Sequence, residues 1–300
     1  MGELERSAPT ELIPRVRPVL RAWASLGIAI LLISTTPLLV KFAGKGGASG
    51  PVSAFYRMAF ASVAVAPMGA LRRHKGASQA GTNLAILAGL LLAADLAFWN
   101  SALLEITAAD ATLLANNAPI WVGLLAWLVW NRRLGRKYWV GLVFALAGTT
   151  LLLGHIRHSM ALGRGAALAA VSSLFYAAYL QCAERARLHM DTITFVARMT
   201  TTGAVALIIV CGLMRLPFLG FTPFAWLALA CMGVISHLGG WLAGSYALGR
   251  IPAARASVVM LLQTPLTALA AVALFGERIS TLQLGGGALL LGGVALAIQR

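Results

Sequence analysis

Residues 247–280 read ALGRIPAARASVVMLLQTPLTALAAVALFGERIS, and residues 102–134 read ALLEITAADATLLANNAPIWVGLLAWLVWNRRL. The earlier stretch is a second version of the later one, because a shift that places Ala102 on Ala247 also aligns identical Leu, Ile and Ala residues. After one inserted residue, Pro119 meets Pro265. A repeat at close to half the length of a 300-residue chain predicts two homologous halves, and we expect the protein to function between them.

The composition predicts a membrane protein. Hydrophobic residues make up 59% of the chain and charged residues only 11%, with a mean hydropathy of +0.82, which leaves too little polar surface for a soluble domain of this size. The apolar runs are continuous rather than alternating, which indicates spanning helices and disfavours a β-barrel. The formal net charge of +15 falls in short clusters between these runs, so it indicates membrane topology and not a nucleic-acid partner.

Ten apolar runs are long enough to span a bilayer, five in each half of the chain. The predicted spans are residues 22–43, 53–71, 83–104, 108–130, 137–154, 164–183, 192–213, 222–247, 252–275 and 281–298. Residues 1–20 are polar and predict a cytoplasmic tail. Residues 21–155 and 156–300 are then the two five-helix repeats of one integrated membrane domain.

The Lys and Arg residues of the short loops predict the orientation. With the N-terminus inside the cell, sixteen of them fall on the cytoplasmic side and six on the other, so we expect both termini in the cytoplasm. Because each half has an odd number of spans, each helix of the second half crosses the membrane in the opposite direction to its counterpart. The predicted fold is therefore an all-α integral membrane protein, with ten transmembrane helices forming two inverted five-helix repeats around a central cavity.

A set of residues in each half carries a resemblance to a known family. The second half contributes the run from Ala247 to Ile251 before Pro252, the small residues 253–257, Pro265 and Gly276-Glu277-Arg278. The first half contributes Ser34, Pro37, Lys41, Pro51, Arg57 and Ala61, and Arg57-Met58 recurs as Arg198-Met199. Over essentially residues 20–298 this pattern resembles the ten-span, EamA-type branch of the drug/metabolite transporter superfamily. Asn131 departs from it, because the family usually has an acidic residue there.

Within that superfamily the chain is similar to the bacterial amino-acid exporters of the YddG group. The resemblance implies a multi-pass inner-membrane transporter that exports neutral or aromatic amino acids and related amphiphilic metabolites. A broad multidrug exporter, an importer of the same solutes, and a non-transporting scaffold or receptor remain open alternatives.

We expect neither catalysis nor a cofactor. The sequence has no HExxH motif, no mid-membrane pair of Asp residues and no Cys/His cluster of the kind an intramembrane enzyme needs. Two fused halves can enclose one pathway, so we expect a monomer whose partners are a small-molecule substrate and the lipid bilayer.

Two ionisable residues lie near the middle of predicted spans, where insertion of a charge costs about 2.5–3.5 kcal/mol. Asp95 in the third span and His237 in the eighth are each followed four residues later by a tryptophan, Trp99 and Trp241, on the same helical face. We predict that all four bind the substrate. The alternative is a hydrogen bond between helices with a tryptophan packed beside it.

Amide side chains precede a mid-span proline in both halves. Asn116 and Asn117 come before Pro119, and Gln263 comes before Pro265. A proline leaves the carbonyl one turn earlier unpaired and kinks the helix, which creates a polar place in an apolar wall. We predict that Asn116 and Gln263 bind polar groups of the substrate, the alternative being that the amides pair with the freed carbonyls.

Tyr176 shares a face of the sixth span with Ser172 and Tyr179. Its ring offers both an apolar surface and a hydroxyl, so we predict that Tyr176 binds the substrate and that Tyr179 packs in the core. Arg57 and Arg198 lie about one turn inside the membrane, from which long side chains reach the headgroups easily. We therefore expect both arginines at the membrane surface, with direct substrate contact as the alternative.

Small residues recur at three- or four-residue spacing in the fifth and tenth spans. They are Gly141, Ala145 and Gly148 in the fifth, with residues 285–287 and 292–293 in the tenth. This spacing predicts close packing of two helix backbones.

The topology is testable with reporter fusions. Reporters placed after Arg136 and at Arg300 are expected to indicate the cytoplasm, and a reporter near Arg157 the outside, because the Lys and Arg clusters fix these sides. An outside signal at Arg300 would mean an odd number of spans and would contradict the inverted repeat.

Overall fold

A computed structural model of the protein describes residues 12–70, 78–153, 163–266 and 280–299, and all regular structure in these ranges is helical. The helices are α1 (Leu12–Ile33), α2 (Thr36–Lys45), α3 (Gly50–Ala70), α4 (Gln79–Glu105), α5 (Ala108–Ala115), α6 (Ala118–Leu128), α7 (Arg136–Leu153), α8 (Arg164–Ala186), α9 (Thr192–Leu213), α10 (Pro223–Cys231), a π-helical segment (Met232–Gly239), α11 (Gly240–Leu248), α12 (Ala253–Met260) and α13 (Thr281–Ala297). The prediction of an all-helical protein is therefore confirmed over the described ranges.

Seven stretches of the described chain are long and apolar enough to cross a membrane. They are Val19–Lys45, Gly50–Gly69, Gln79–Glu105, Asp110–Leu128, Arg164–Ala186, Thr192–Leu213 and Pro223–Leu248. Helices α7 and α13 occupy the predicted fifth and tenth spans, and the predicted ninth span continues into residues 267–279, which lie outside the described residues. The count of ten spans thus stays a prediction. Helix α1 begins at Leu12, inside the predicted tail, whose first eleven residues also lie outside the described residues.

Three helical stretches are interrupted in the middle, and each interruption has a proline beside it. Pro37 stands in the first turn of α2 and Pro119 in the first turn of α6, while Pro265 follows the end of α12. Proline has no N–H group to donate and its ring crowds the carbonyl four residues earlier, so it is best placed in the first turn of a helix, as Pro37 and Pro119 are. The interruptions supply polar backbone and side-chain atoms at mid-membrane depth.

The stretch from Pro223 to Leu248 is continuous but changes its winding. Its middle, Met232–Gly239, is a π-helix, in which hydrogen bonds join residues five apart and side chains turn away from their α-helical directions. Gly233 in this segment lies against α3, because a Cβ atom added there would stand 2.6 Å from the Cβ of Phe60. The π-helical segment therefore packs closely on α3.

The helices of the two halves interleave rather than forming two separate bodies. Helix α4 packs against α8 and α9, α3 packs against α9 and the π-helical segment, and α1 packs against α11. The largest fully buried side chains include Met58, Leu92 and Phe195, which lie in this shared core. Apolar side chains such as Val63 and Leu213 point outwards with 74% and 81% of their surface exposed, as suits a lipid-facing surface. The central space is thus bounded by both halves.

Helices α7 and α13 meet at glycines, as their spacing predicts. A Cβ atom added at Gly148 would stand 2.3 Å from the backbone N of Leu290, and one added at Gly293 would stand 2.3 Å from the backbone N of Ala145. Gly141 and Gly286 are similarly close to the facing backbone, whereas Gly285 and Gly292 have nothing within 4 Å. Only part of the predicted glycine set therefore makes the helix contact.

The neighbours Gly292 and Gly293 provide a matched test of this packing. We expect Gly293→Ala to lower the thermal unfolding temperature of the purified protein, because the added methyl group collides with the backbone of α7. Gly292→Ala adds the same methyl group in open space, and alanine favours a helix over glycine by up to about 1 kcal/mol, so its unfolding temperature should be equal or higher. Equal destabilisation by both variants would contradict the interface.

Candidate functional site

Six of the seven predicted site residues line one cavity between the two halves. They are Asp95, Trp99, Asn116, Tyr176, Trp241 and Gln263. The cavity has about 100 Å³ of room for water, against the roughly 10–15 Å³ that one water needs. Ser34 and Pro37, at the interruption between α1 and α2, complete one wall. A hollow of this size can hold several waters or a small solute.

Arg57 also lines the cavity, contrary to the expectation that it reaches the membrane surface. Its side chain is buried, with 1% of its surface exposed, and its Nε donates a hydrogen bond to Nδ1 of His237 at 3.0 Å. Its Nη1 has no hydrogen-bond partner in the part of the chain that the structure describes. A guanidinium at this depth is expensive unless its charge is compensated, so Arg57 is a functional candidate. The recurrence of Arg57-Met58 as Arg198-Met199 in the second half was the one signal in the sequence that singled Arg57 out.

Asp95 brings the opposite charge to the same cavity. It is 7% exposed, and its Oδ1 accepts a hydrogen bond from the hydroxyl of Ser172 at 2.6 Å. The carboxylate interacts electrostatically with Arg57, but no ion pair joins the two side chains among the described residues. Asp95 therefore makes a hydrogen bond between helices, which was the alternative, and also lines the cavity, where the prediction that it binds the substrate stays open to test.

His237 does not line the cavity. It is fully buried behind Arg57, and its ring centre lies 5.3 Å from that of Trp241. His237 belongs to the π-helical segment and Trp241 to α11, so the α-helical periodicity assumed for this pair does not hold along its whole length. The structure thus realises the alternative of a hydrogen bond between helices, and the predicted substrate contact of His237 is not supported by its position.

Three aromatic rings form a stack at one side of the cavity. The ring centres of Tyr176 and Tyr179 lie 5.9 Å apart, and those of Tyr179 and Trp241 lie 6.0 Å apart, with interplanar angles of 23° and 12°. Tyr176 and Trp241 line the cavity, while Tyr179 is buried beneath them, as predicted. The Tyr176 hydroxyl donates to the Sδ atom of Met260, and the indole N–H of Trp241 has no partner within the described ranges.

The amides beside the prolines are hydrogen-bonded within the protein. Gln263 donates to the carbonyl of Met260 at 3.0 Å, and Asn117 donates to the carbonyl of Leu114 at 3.1 Å, so both pair with backbone near an interruption. Asn116 donates to the hydroxyl of Thr264 at 2.9 Å. This bond joins the interruptions of the two halves directly across the cavity wall.

Arg198, the counterpart of Arg57, does not reach the cavity. It is half-buried and donates a hydrogen bond to the hydroxyl of Thr82. The two Arg-Met pairs are therefore equivalent in sequence but not in position, and only the first contributes a charge to the cavity.

One relative and one solved structure illustrate what this chain is similar to. The Uncharacterized transporter sll1319 of Synechocystis sp. (strain ATCC 27184 / PCC 6803 / Kazusa) is 28% identical over 187 residues. That match covers 59% of this chain and about half of the relative's length, 55%. A solved crystal structure covers 95% of this chain and 98% of its own, with a TM-score of 0.73 at 23% identity, which shows the fold alone.

The family comparison covers nearly the whole chain. The EamA-like transporter family matches twice, at residues 22–154 and at residues 163–299. This agrees with a multi-pass membrane protein and with a transporter rather than an enzyme. On these matches, the chain belongs to the EamA-like transporter family.

Proposed function

We propose that this protein is a secondary transporter that exports neutral and aromatic amino acids and related small amphiphilic metabolites by alternating access. The observation that carries the proposal is the cavity between the halves, in which an aromatic stack faces buried charges of both signs. Rings hold an apolar body, and the polar groups fix its orientation. In this proposal the solute binds in this cavity.

Alternating access is supported by the way helix contacts repeat when the halves are exchanged. The contact of α4 with α8 corresponds to that of α11 with α1, and the contact of α4 with α9 corresponds to that of the π-helical segment with α3. The pairs α3 with α9 and α7 with α13 each correspond to themselves. Such a pattern suits two inverted repeats that rock against each other around a fixed site.

The remaining parts of the proposal follow from the sequence. We propose ten spans on the apolar runs, and both termini in the cytoplasm on the distribution of Lys and Arg. We also propose a monomer, because two fused halves can enclose one pathway, and an inner-membrane location, which the family resemblance implies. A broad multidrug exporter is the second candidate, because Trp99, Tyr176 and Trp241 offer the cavity a large aromatic surface of the kind that binds varied apolar solutes.

Removal of cavity rings tests the site. We expect Trp99→Ala and Tyr176→Ala to reduce uptake of radiolabelled phenylalanine into proteoliposomes by roughly tenfold at limiting substrate, because loss of about 1.4 kcal/mol of ring contact corresponds to that factor. Trp127→Ala is the matched control, since Trp127 is 47% exposed and does not line the cavity. Undiminished transport in both cavity variants, or transport of cationic dyes but of no amino acid, would contradict the proposal.

Proton coupling is a separate question with a separate test. A second proton on His237 would replace its bond from Arg57 by two cations 3.0 Å apart in a buried place, so His237 stays neutral and does not relay protons. Asp95 alone is not sufficient for a proton relay, and we therefore expect that transport does not require a proton. The measurement is phenylalanine accumulation driven by a pH gradient alone. The wild type could accumulate phenylalanine under the pH gradient alone, and Asp95→Asn could abolish this accumulation while exchange is retained. That result would show that the carrier is coupled to protons.

A further inference from the structure

Two hydrogen-bond donors in the cavity wall are left without partners. Nη1 of Arg57 and Nε1 of Trp241 are both buried, and neither has an acceptor among the residues that the structure describes. Both residues line the cavity, and the guanidinium carbon lies 5.8 Å from the centre of the Trp241 ring. A buried donor without an acceptor is costly, most of all a charged one, so this place is suited to an acceptor that a ligand brings. A cation and a neutral N–H side by side fit a carboxylate.

The orientation of Arg57 is fixed by its neighbours and not by the solvent. Its Nε is bonded to His237, and Gly233 allows the π-helical segment to lie within contact of the Arg57 carbonyl. Because His237 accepts this bond at Nδ1, the imidazole is neutral and does not compensate the charge of Arg57. The guanidinium is therefore held in position, and its positive charge still has to be compensated by an anion.

The opposite charge stands at a separate place in the same cavity. Asp95 accepts from Ser172, and within the described part of the chain it forms no ion pair with Arg57. Two buried charges of opposite sign that face one cavity without touching suit a ligand that bridges them. An α-amino acid is such a ligand, because it carries a carboxylate and an ammonium group on neighbouring atoms.

We propose that Arg57 and Trp241 hold the carboxylate of the substrate and that Asp95 holds its ammonium group, so that the cavity selects zwitterions. This inference rests on the proposed amino-acid transport and names the groups that recognise the substrate. It takes the place of the prediction that Asn116 and Gln263 bind the polar groups of the substrate, since both amides already have partners. The rings of Tyr176 and Trp99 are left to contact the side chain of the substrate.

The division of these residues between the halves explains how the substrate is released. Arg57 and Asp95 belong to α3 and α4 of the first half, whereas Trp241 and Ser172 belong to α11 and α8 of the second. Each end of the zwitterion is thus held where the two halves meet. A movement of one half against the other weakens the contacts of the carboxylate and of the ammonium group at the same time. This loss of contacts offsets the tight binding that buried charges give.

Three ligands with the same phenyl ring distinguish recognition of the carboxylate from recognition of the ammonium group. The measurement is a binding assay on the purified full-length protein in nanodiscs. The ligands are L-phenylalanine, phenethylamine, which lacks the carboxylate, and 3-phenylpropionate, which lacks the ammonium group. We expect the wild type to bind phenylalanine at least tenfold more tightly than either analogue. Arg57→Gln should weaken phenylalanine tenfold or more and leave phenethylamine unchanged. Asp95→Asn should weaken phenylalanine similarly and leave 3-phenylpropionate unchanged or improved.

Two further variants keep the test decisive if a charge variant fails to fold. Trp241→Phe keeps a smaller aromatic ring and removes the N–H donor, so it should weaken phenylalanine and 3-phenylpropionate by roughly threefold to tenfold and phenethylamine by clearly less. Arg198→Gln is the matched arginine control, because Arg198 lies outside the cavity, and it should change none of the three affinities.

The outcomes distinguish the two proposals. A wild type that binds phenylalanine, with variants that weaken all three ligands by the same factor, would overturn the zwitterion site and leave amino-acid transport standing. A wild type that binds no amino acid would overturn the proposed function and this inference together.

Discussion

The hydrogen bond from Arg57 to His237 is the interaction on which the rest of the site depends. It holds a guanidinium in the membrane interior, where an unfixed arginine would extend towards water, and it joins α3 of the first half to the π-helical segment of the second. The winding of that segment and the absence of a side chain at Gly233 bring the imidazole close enough to accept it. With Arg57 held in this way, Asp95 and the aromatic stack become parts of one cavity and not separate features of the core.

The interrupted helices solve the problem of placing polar groups in an apolar layer. Each proline ends regular hydrogen bonding where the cavity lies, and nearby amides pair with part of the backbone, as Gln263 does with Met260. The bond between Asn116 and Thr264 links the interruptions of the two halves, so the wall of the cavity is itself shared between the repeats. Close packing at the glycines of α7 and α13 supplies a rigid contact away from the cavity.

Much of this arrangement was predictable because its signals are local. Mid-span prolines with amides before them, and an aspartate four residues before a tryptophan, predicted four residues that line the cavity: Asn116, Gln263, Asp95 and Trp99. Two more were predicted from the spacing of Trp241 to His237 and from the amphipathic ring of Tyr176. The places of Arg57 and His237 were not predictable in the same way. Arginine reaches the headgroups only when no partner inside the protein holds it, and Arg57 has such a partner in His237. His237 lies in a π-helical segment, which sequence periodicity does not reveal, and its ring stays in contact with Trp241 behind Arg57. Both depend on contacts between residues 180 positions apart.

The central claim is that the cavity between the halves is where the substrate binds. Ala115 lines that cavity, and a cysteine placed there, with Cys182, Cys211 and Cys231 replaced by alanine, reports directly on its occupancy. The measurement is the rate at which a small thiol reagent modifies this Ala115→Cys variant in proteoliposomes, with and without saturating phenylalanine. The account predicts that phenylalanine slows the modification severalfold in a variant that still transports. An unchanged rate in such a transporting variant would contradict it.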